Sequence, residues 1–118
     1  MNYDLEERTA KFGENVIKFL KTLSPDHISR PVISQMTRSS TSIGANYMEA
    51  NQASSKKDFY NKIRISQKEA NESKHWLKML AALFPKEREN LKIFWKEAHE
   101  LTLIFAKISS NSKKLEID

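Results

Sequence analysis

The sequence predicts an all-α fold, an antiparallel up-down-up-down four-helix bundle, and three observations predict it. Long stretches repeat apolar residues at spacings of three and four, the period of a helix with one buried face. Two glycines and three prolines in 118 residues are too few for the tight turns of an all-β chain. The breaks between the periodic stretches are short, and short connections make consecutive long helices antiparallel neighbours. The chain is read as a single domain, 1–118, long enough to bury a core.

The first helix is expected over about residues 4–23, where Leu5, Phe12, Val16, Phe19, Leu20 and Leu23 share a face. Ser24-Pro25-Asp26 ends it, and Pro31 marks the start of the second helix, 31–53. Propensity opposes a helix there, because the hydroxyls from Thr37 to Ser42 compete for backbone hydrogen bonds. Periodicity supports one, since Val32, Met36, Ile43, Tyr47 and Ala50 fall within a narrow arc at about 100° per residue. This segment is poor in charge: Arg38 and Glu49 are its only charged residues between Val32 and Ala53. Ser39, Ser40, Ser42, Gly44, Ala45, Ala50 and Ala53 make it a stretch of small side chains, suited to lie between other elements with backbones in close approach.

Ser54 or Ser55 caps the third helix, 55–84, and Ser55 with Asp58 forms an approximate capping box. Its core face carries Phe59, Ala70, Leu77, Leu80 and Phe84, with Trp76 near the edge, and also Lys62, Ser66, Glu69 and Ser73. Its opposite face is almost wholly basic: Lys57, Tyr60, Arg64, Lys68, Asn71, His75 and Lys78 fall close to one line. Pro85 opens the fourth helix, 86–109, with Glu87 and Glu89 near its positive end. Leu91, Phe94, Trp95, Ala98, Leu101, Phe105 and Ile108 form its apolar stripe, and residues 110–118 are expected to fray.

Composition excludes several function classes. Without cysteine there are no disulfides and no thiolate metal sites, which fits a reducing, cytoplasmic setting. The opening residues lack the basic and apolar regions of a signal peptide, and no apolar run approaches the roughly 20 residues of a membrane span. A Gly-x-Ser-x-Gly elbow and a phosphate-binding glycine loop are both absent, so nucleophilic catalysis has no support. His27, His75 and His99 lie on different segments. Glu72-x-x-His75 is half of a di-iron carboxylate motif, but Glu97-Ala98-His99-Glu100 has the wrong spacing to complete it. No metal, cofactor or catalytic residue is therefore assigned.

Two constellations remain. Arg38 and Glu49 on the second helix face Lys62 and Glu69 on the third, with Ser39, Ser42 and Asn46 adjoining. Charges facing a core should pair across helices, so this set reads as a structural polar network fixing register or an intersubunit contact, with a functional polar pocket as the alternative. The basic stripe of Lys57, Tyr60, Arg64, Lys68, His75 and Lys78 suits phosphate contact with base stacking, against a solvated face as the plainer reading. The net charge of +5 is compatible with either.

Several motifs are also familiar together. Arg8-Thr9-x-x-Phe12 resembles the opening of the bacterial four-helix-bundle proteins encoded by intervening sequences within 23S ribosomal RNA genes. Gln35-x-x-Arg38-Ser39-x-x-Ser42-Ile43-x-Ala45-Asn46-x-x-Glu49-Ala50 resembles their second helix, and Asp58-Phe59, Lys62-Ile63, Lys68-Glu69-Ala70, Glu72 and Trp76-Leu77 their third. Glu97-x-x-x-Leu101 completes a likeness over about residues 5–108; Ala50-Asn51 departs from the commoner Glu-Gly or Glu-Ala. The resemblance implies a ring-forming bundle, with a homopentamer as the expected state, and no enzymatic activity to carry over. The family is often labelled ribosomal, and is similar to the basic accessory proteins of diversity-generating retroelements, which associate with nucleic acid and a reverse transcriptase. The expected function is thus a non-enzymatic oligomeric scaffold binding structured RNA, or RNA–DNA and the protein that handles it. The alternative is a protein-interaction module with no direct nucleic-acid role.

Overall fold

The computed structural model describes residues 4–117, with side chains described for residues 5–112. Four α-helices follow one another: α1 (Asp4–Leu20), α2 (Ser29–Asn51), α3 (Lys56–Leu83) and α4 (Arg88–Ile117). Cross-helix partners give the register. Thr9 lies against Gly44 and Gly13 against Ser40 between α1 and α2. Ile43 meets Ser66, and Ser39 meets Ser73, between α2 and α3. Lys74 reaches His99 between α3 and α4, and Arg8 reaches Glu97 between α1 and α4. Between α1 and α2 and between α2 and α3 one number rises as the other falls, so these neighbours are antiparallel, and the short turn Pro85–Glu87 returns α4 along α3 in an all-α four-helix bundle. The rod measures 50 × 22 × 21 Å.

The core is built from the expected stripes. Leu5, Phe12, Val16 and Leu20 of α1 meet Met36, Ile43 and Ala50 of α2. Ile63, Ala70, Leu77 and Leu80 of α3 meet Leu91, Ala98, Leu101 and Phe105 of α4. Phe94 packs against both Phe12 and Phe19, at centroid distances of 6.4 and 5.4 Å, and ties α4 to α1. The hydroxyl run of α2 does not break its helix, because those hydroxyls bond back to their own helix. Thr37 Oγ1 donates to the Ile33 carbonyl at 2.8 Å, and Thr41 Oγ1 to the Thr37 carbonyl at 2.8 Å.

Besides α2 ending at Asn51 rather than 53 and α3 running Lys56–Leu83 rather than 55–84, helix ends differ from the sequence expectation in four places. α1 stops at Leu20, and residues 21–23 form a turn in which Leu23 N–H bonds to the Leu20 carbonyl at 3.2 Å. α2 begins at Ser29, before Pro31, because Asp26 caps it. Asp26 Oδ1 accepts from the backbone N–H groups of Ser29 at 2.8 Å and Ile28 at 3.0 Å. Ser29 Oγ in turn accepts from Asp26 N–H at 2.9 Å, a reciprocal box. The amide of Ser29 in particular holds the Asp26 carboxyl below its ordinary range. Pro85 opens a short 3-10 turn, Pro85–Glu87, ahead of α4. The fourth concerns residues 110–118, expected to fray: α4 continues through 110–117 to Ile117, and Asp118 lies outside the described residues. No glycine or proline occurs after Pro85, so nothing in the sequence stops the helix. Ser55 caps α3 as expected, accepting from Asp58 N–H at 3.0 Å.

Candidate nucleic-acid interface

The charged residues of the polar network form separate clusters at the edges of the α2–α3 seam and do not face the core. Arg38 Nη1 donates to both carboxylate oxygens of Glu69, at 3.0 and 3.2 Å, and its other terminal nitrogen pairs with Glu72. Gln35 Oε1 accepts from Arg38 Nε at 3.0 Å, and Trp76 Nε1 donates to Glu72 at 3.0 Å. Lys62 Nζ meets Glu49 Oε1 at 2.7 Å, about two turns away along α3, and that bond raises the Lys62 pKa. Arg38 and Glu49 are about half exposed, at 45% and 53%, so these pairs do not carry the burden of a buried charge. The buried part of the seam is neutral: Ser39 and Ser73 share a 2.8 Å hydrogen bond, and Ser66 Oγ donates to the Ile43 carbonyl at 3.1 Å. Among the described residues Asn46 bonds within α2, its Nδ2 donating to the Ser42 carbonyl and Oγ at 2.9 and 3.0 Å.

The basic stripe lies along the outside of α3. Lys57, Arg64, Lys68, His75 and Lys78 are exposed, and Tyr60 is half-buried. Arg64 Nη1 donates to Tyr60 Oη at 2.9 Å, with the guanidinium 5.8 Å from the ring centroid. The His75 ring stands edge-on to Trp76 at 4.9 Å. Among the described residues no carboxylate pairs with Lys57, Arg64, Lys68 or Lys78. The ion pairs among the described residues lie instead at the α1–α4 and α2–α3 seams, where Glu97, Glu100, Glu69, Glu72 and Glu49 are engaged.

At its C-terminal end the stripe meets residues of α4 that sequence reasoning did not connect with it. An open groove of about 290 Å³ lies between α3 and α4. Leu77, Ala81, Leu91 and Trp95 line it together with three cations, Lys78, Arg88 and Lys92, and no carboxylate. Trp95 stacks on His99, with centroids 5.1 Å apart and planes 12° from parallel. Lys74 Nζ stands 5.3 Å from the Trp95 ring centroid and 3.1 Å from His99 Nδ1. Trp95 Nε1 is the one buried side-chain nitrogen or oxygen among the described residues without a hydrogen-bond partner. The signal was present in the sequence: Arg88, Lys92, Trp95 and His99 follow the spacing of one helix face.

Metal chemistry gains nothing from the geometry. Glu72 is held by Arg38 and Trp76, His75 lies on the outer face, and His99 is occupied by Lys74 and Trp95. Among the described residues no three His, Asp or Glu side chains are grouped to hold an ion. No described helix is long and apolar enough to cross a membrane.

Comparison with known proteins agrees with this architecture. No functionally curated protein matches the chain. A solved crystal structure, of a protein with unknown function from the S23 ribosomal protein family of Bacteroides thetaiotaomicron VPI-5482, is 33% identical. That match covers 88% of this chain and 96% of the other, with a TM-score of 0.80. The family profile described as 23S rRNA-intervening sequence protein matches residues 1–107. With its four antiparallel helices and this match over most of its length, the chain belongs to the 23S rRNA-intervening sequence protein family.

Proposed function

We propose that this protein is a non-enzymatic, oligomeric scaffold that binds structured RNA, or RNA–DNA and the protein handling it, through the basic outer face of α3. One observation carries the reading: the cations of that face have no carboxylate partners among the described residues, whereas the seam carboxylates are engaged within the bundle. Lys57, Arg64, Lys68 and Lys78 contact phosphates, and Tyr60 or His75 stacks against a base. Assembly into a ring, with five copies as the expected number, multiplies the stripe and its field. The outer α1–α2 groove supports self-association, since small and apolar residues including Gly13, Ile17, Ala45 and Met48 line it beside Glu6 and Glu14.

The test is binding of the nuclease-treated protein to a structured ribosomal RNA fragment, followed by fluorescence anisotropy over a salt series. The double reversal Arg64→Glu with Lys68→Glu should weaken binding and lower the salt slope by about one per lost phosphate contact. An unchanged slope, with the helical signal intact, removes this face. Exposed Ile17 and Met48 favour a second reading, a protein-interaction module in which the basic charge is incidental. RNA binding that vanishes near physiological salt would select it, and a monomer in native mass spectrometry would end the ring.

A further inference from the structure

We infer that the α3–α4 groove is a seat for one unpaired nucleotide of an RNA strand. In this seat the base lies against Trp95 and the apolar floor, and its phosphate lies among Lys78, Arg88 and Lys92. The inference rests on the RNA-binding reading above and gives it a location that the α3 stripe alone does not supply. Three independent observations converge on it. The groove has a hydrophobic floor, Leu77, Ala81 and Leu91, beside the indole ring of Trp95. Its rim carries three cations from two helices and no acid to neutralise them. Lys74 and His99 back the indole, bonded to each other at 3.1 Å, so that Trp95 is held in place before anything binds.

The chemistry narrows the occupant. Aromatic surface next to unpaired cations is what single-stranded nucleic acid requires, because each nucleotide brings one π-face and one phosphate. A volume of about 290 Å³ lies at the small end of ligand pockets and suits one nucleoside-sized unit. A duplex keeps its base faces covered by its own stack and has none to offer. An acidic peptide could answer the charge, but its backbone amides and carbonyls need partners. Apart from the three cations, the lining side chains present apolar surface, the indole N–H being buried.

Trp76 and Trp95 are the two tryptophans of the chain, so Trp76→Phe leaves Trp95 as the only indole reporter. This variant is titrated near physiological salt with a 5′-phosphorylated oligouridine of about six nucleotides, a blunt RNA duplex and an oligoglutamate of equal charge. The expected result is saturable quenching of Trp95 by the oligouridine, with no response to the duplex or the peptide. Arg88→Glu with Lys92→Glu, both on exposed positions, should weaken oligouridine binding about tenfold. The same double reversal in the Trp76-containing chain, read by anisotropy, gives the result without the reporter substitution. RNA binding by anisotropy with silent Trp95 emission overturns the groove and leaves the α3 face standing. Absence of binding to any RNA overturns both readings. Quenching that survives the rim reversal, or that the peptide reproduces at equal affinity, overturns the nucleotide assignment.

Discussion

Arg8 and Glu97, 89 residues apart in the chain, form a two-point ion pair: Arg8 Nε and Nη2 donate to the two carboxylate oxygens at 2.7 and 2.8 Å. Glu100 adds a third contact at 3.1 Å. The Glu97 hydrogen bonds raise the Arg8 pKa further above its already high value. This clasp joins α1 to α4, the neighbouring helices with the sparsest backbone contact, beside an open groove of about 540 Å³. Both side chains are about one-third exposed, at 34% and 32%, which screens the charge.

A double-mutant cycle with Arg8→Ala and Glu97→Ala should give a coupling of about 1 kcal/mol, the upper end for pairs open to solvent. Arg8→Lys should lose most of it, because an ammonium cannot reproduce the planar fork. Urea denaturation at low and high salt measures both. A coupling indistinguishable from zero would make the clasp incidental to α1–α4 packing.

The two glycines should respond oppositely to alanine. At Gly13 an added Cβ would meet Ser40 O at 3.4 Å, an ordinary contact, so Gly13→Ala should stabilise by about 0.5 kcal/mol through helix propensity. At Gly44 it would lie 3.2 Å from Thr9 Oγ1 and 3.4 Å from the Thr9 carbonyl carbon. Thr9 is buried and bonded to the Glu6 carbonyl at 3.1 Å, so it yields little. Gly44→Ala should therefore cost roughly 1 kcal/mol net, overpacking exceeding the propensity gain. Equal midpoint shifts for the two variants would refute the contrast.

Ser39 and Ser73 should be strongly non-additive. Either Ser→Ala change leaves the other hydroxyl buried with its cross-helix partner gone, at about 1–3 kcal/mol. Replacing both removes the polar pair from the seam and should cost less than the sum of the singles. Additive losses in thermal or chemical unfolding would argue against a coupled pair.

The Asp26 cap makes a pH prediction. Its carboxyl lies below the ordinary range, chiefly through the Ser29 amide, so the unfolded chain binds that proton more readily than the folded one. Its contribution is therefore complete above the unfolded value of about 3.9 and is lost as pH falls through the lower folded value. Asp26→Asn keeps a capping acceptor without the titration. The melting temperature of this variant should depend less steeply on pH than that of the parent chain below about pH 4. Parallel curves throughout the acid range would remove the effect.

The fold class and the four helices were legible because they depend on local information. Leu5, Phe12 and Val16, or Leu91, Ala98 and Phe105, recur at a period that declares one buried face whatever it packs against. Asp26 was legible only as a stop signal, since a cap is recognised by the amides it meets. The same limit applied to the basic stripe. Sequence order aligned Lys57, Arg64, Lys68 and Lys78 on one helix, but it could not connect Lys78 to Arg88, Lys92 and Trp95 across a turn.

By itself, then, the sequence determined an all-α bundle, the order of its helices, the charge-poor second segment and the basic face of the third. Tertiary structure alone decided that Arg8 meets Glu97, that Arg38 serves Glu69 and Glu72 together, and that three cations and an indole share one groove. The physical reason is register. Helical period assigns each side chain an angle about its own axis, but a contact between helices also depends on their relative height and tilt. Those are set by packing along the whole seam, here by Gly44 against Thr9 and Ser39 against Ser73, and no short window of sequence contains them.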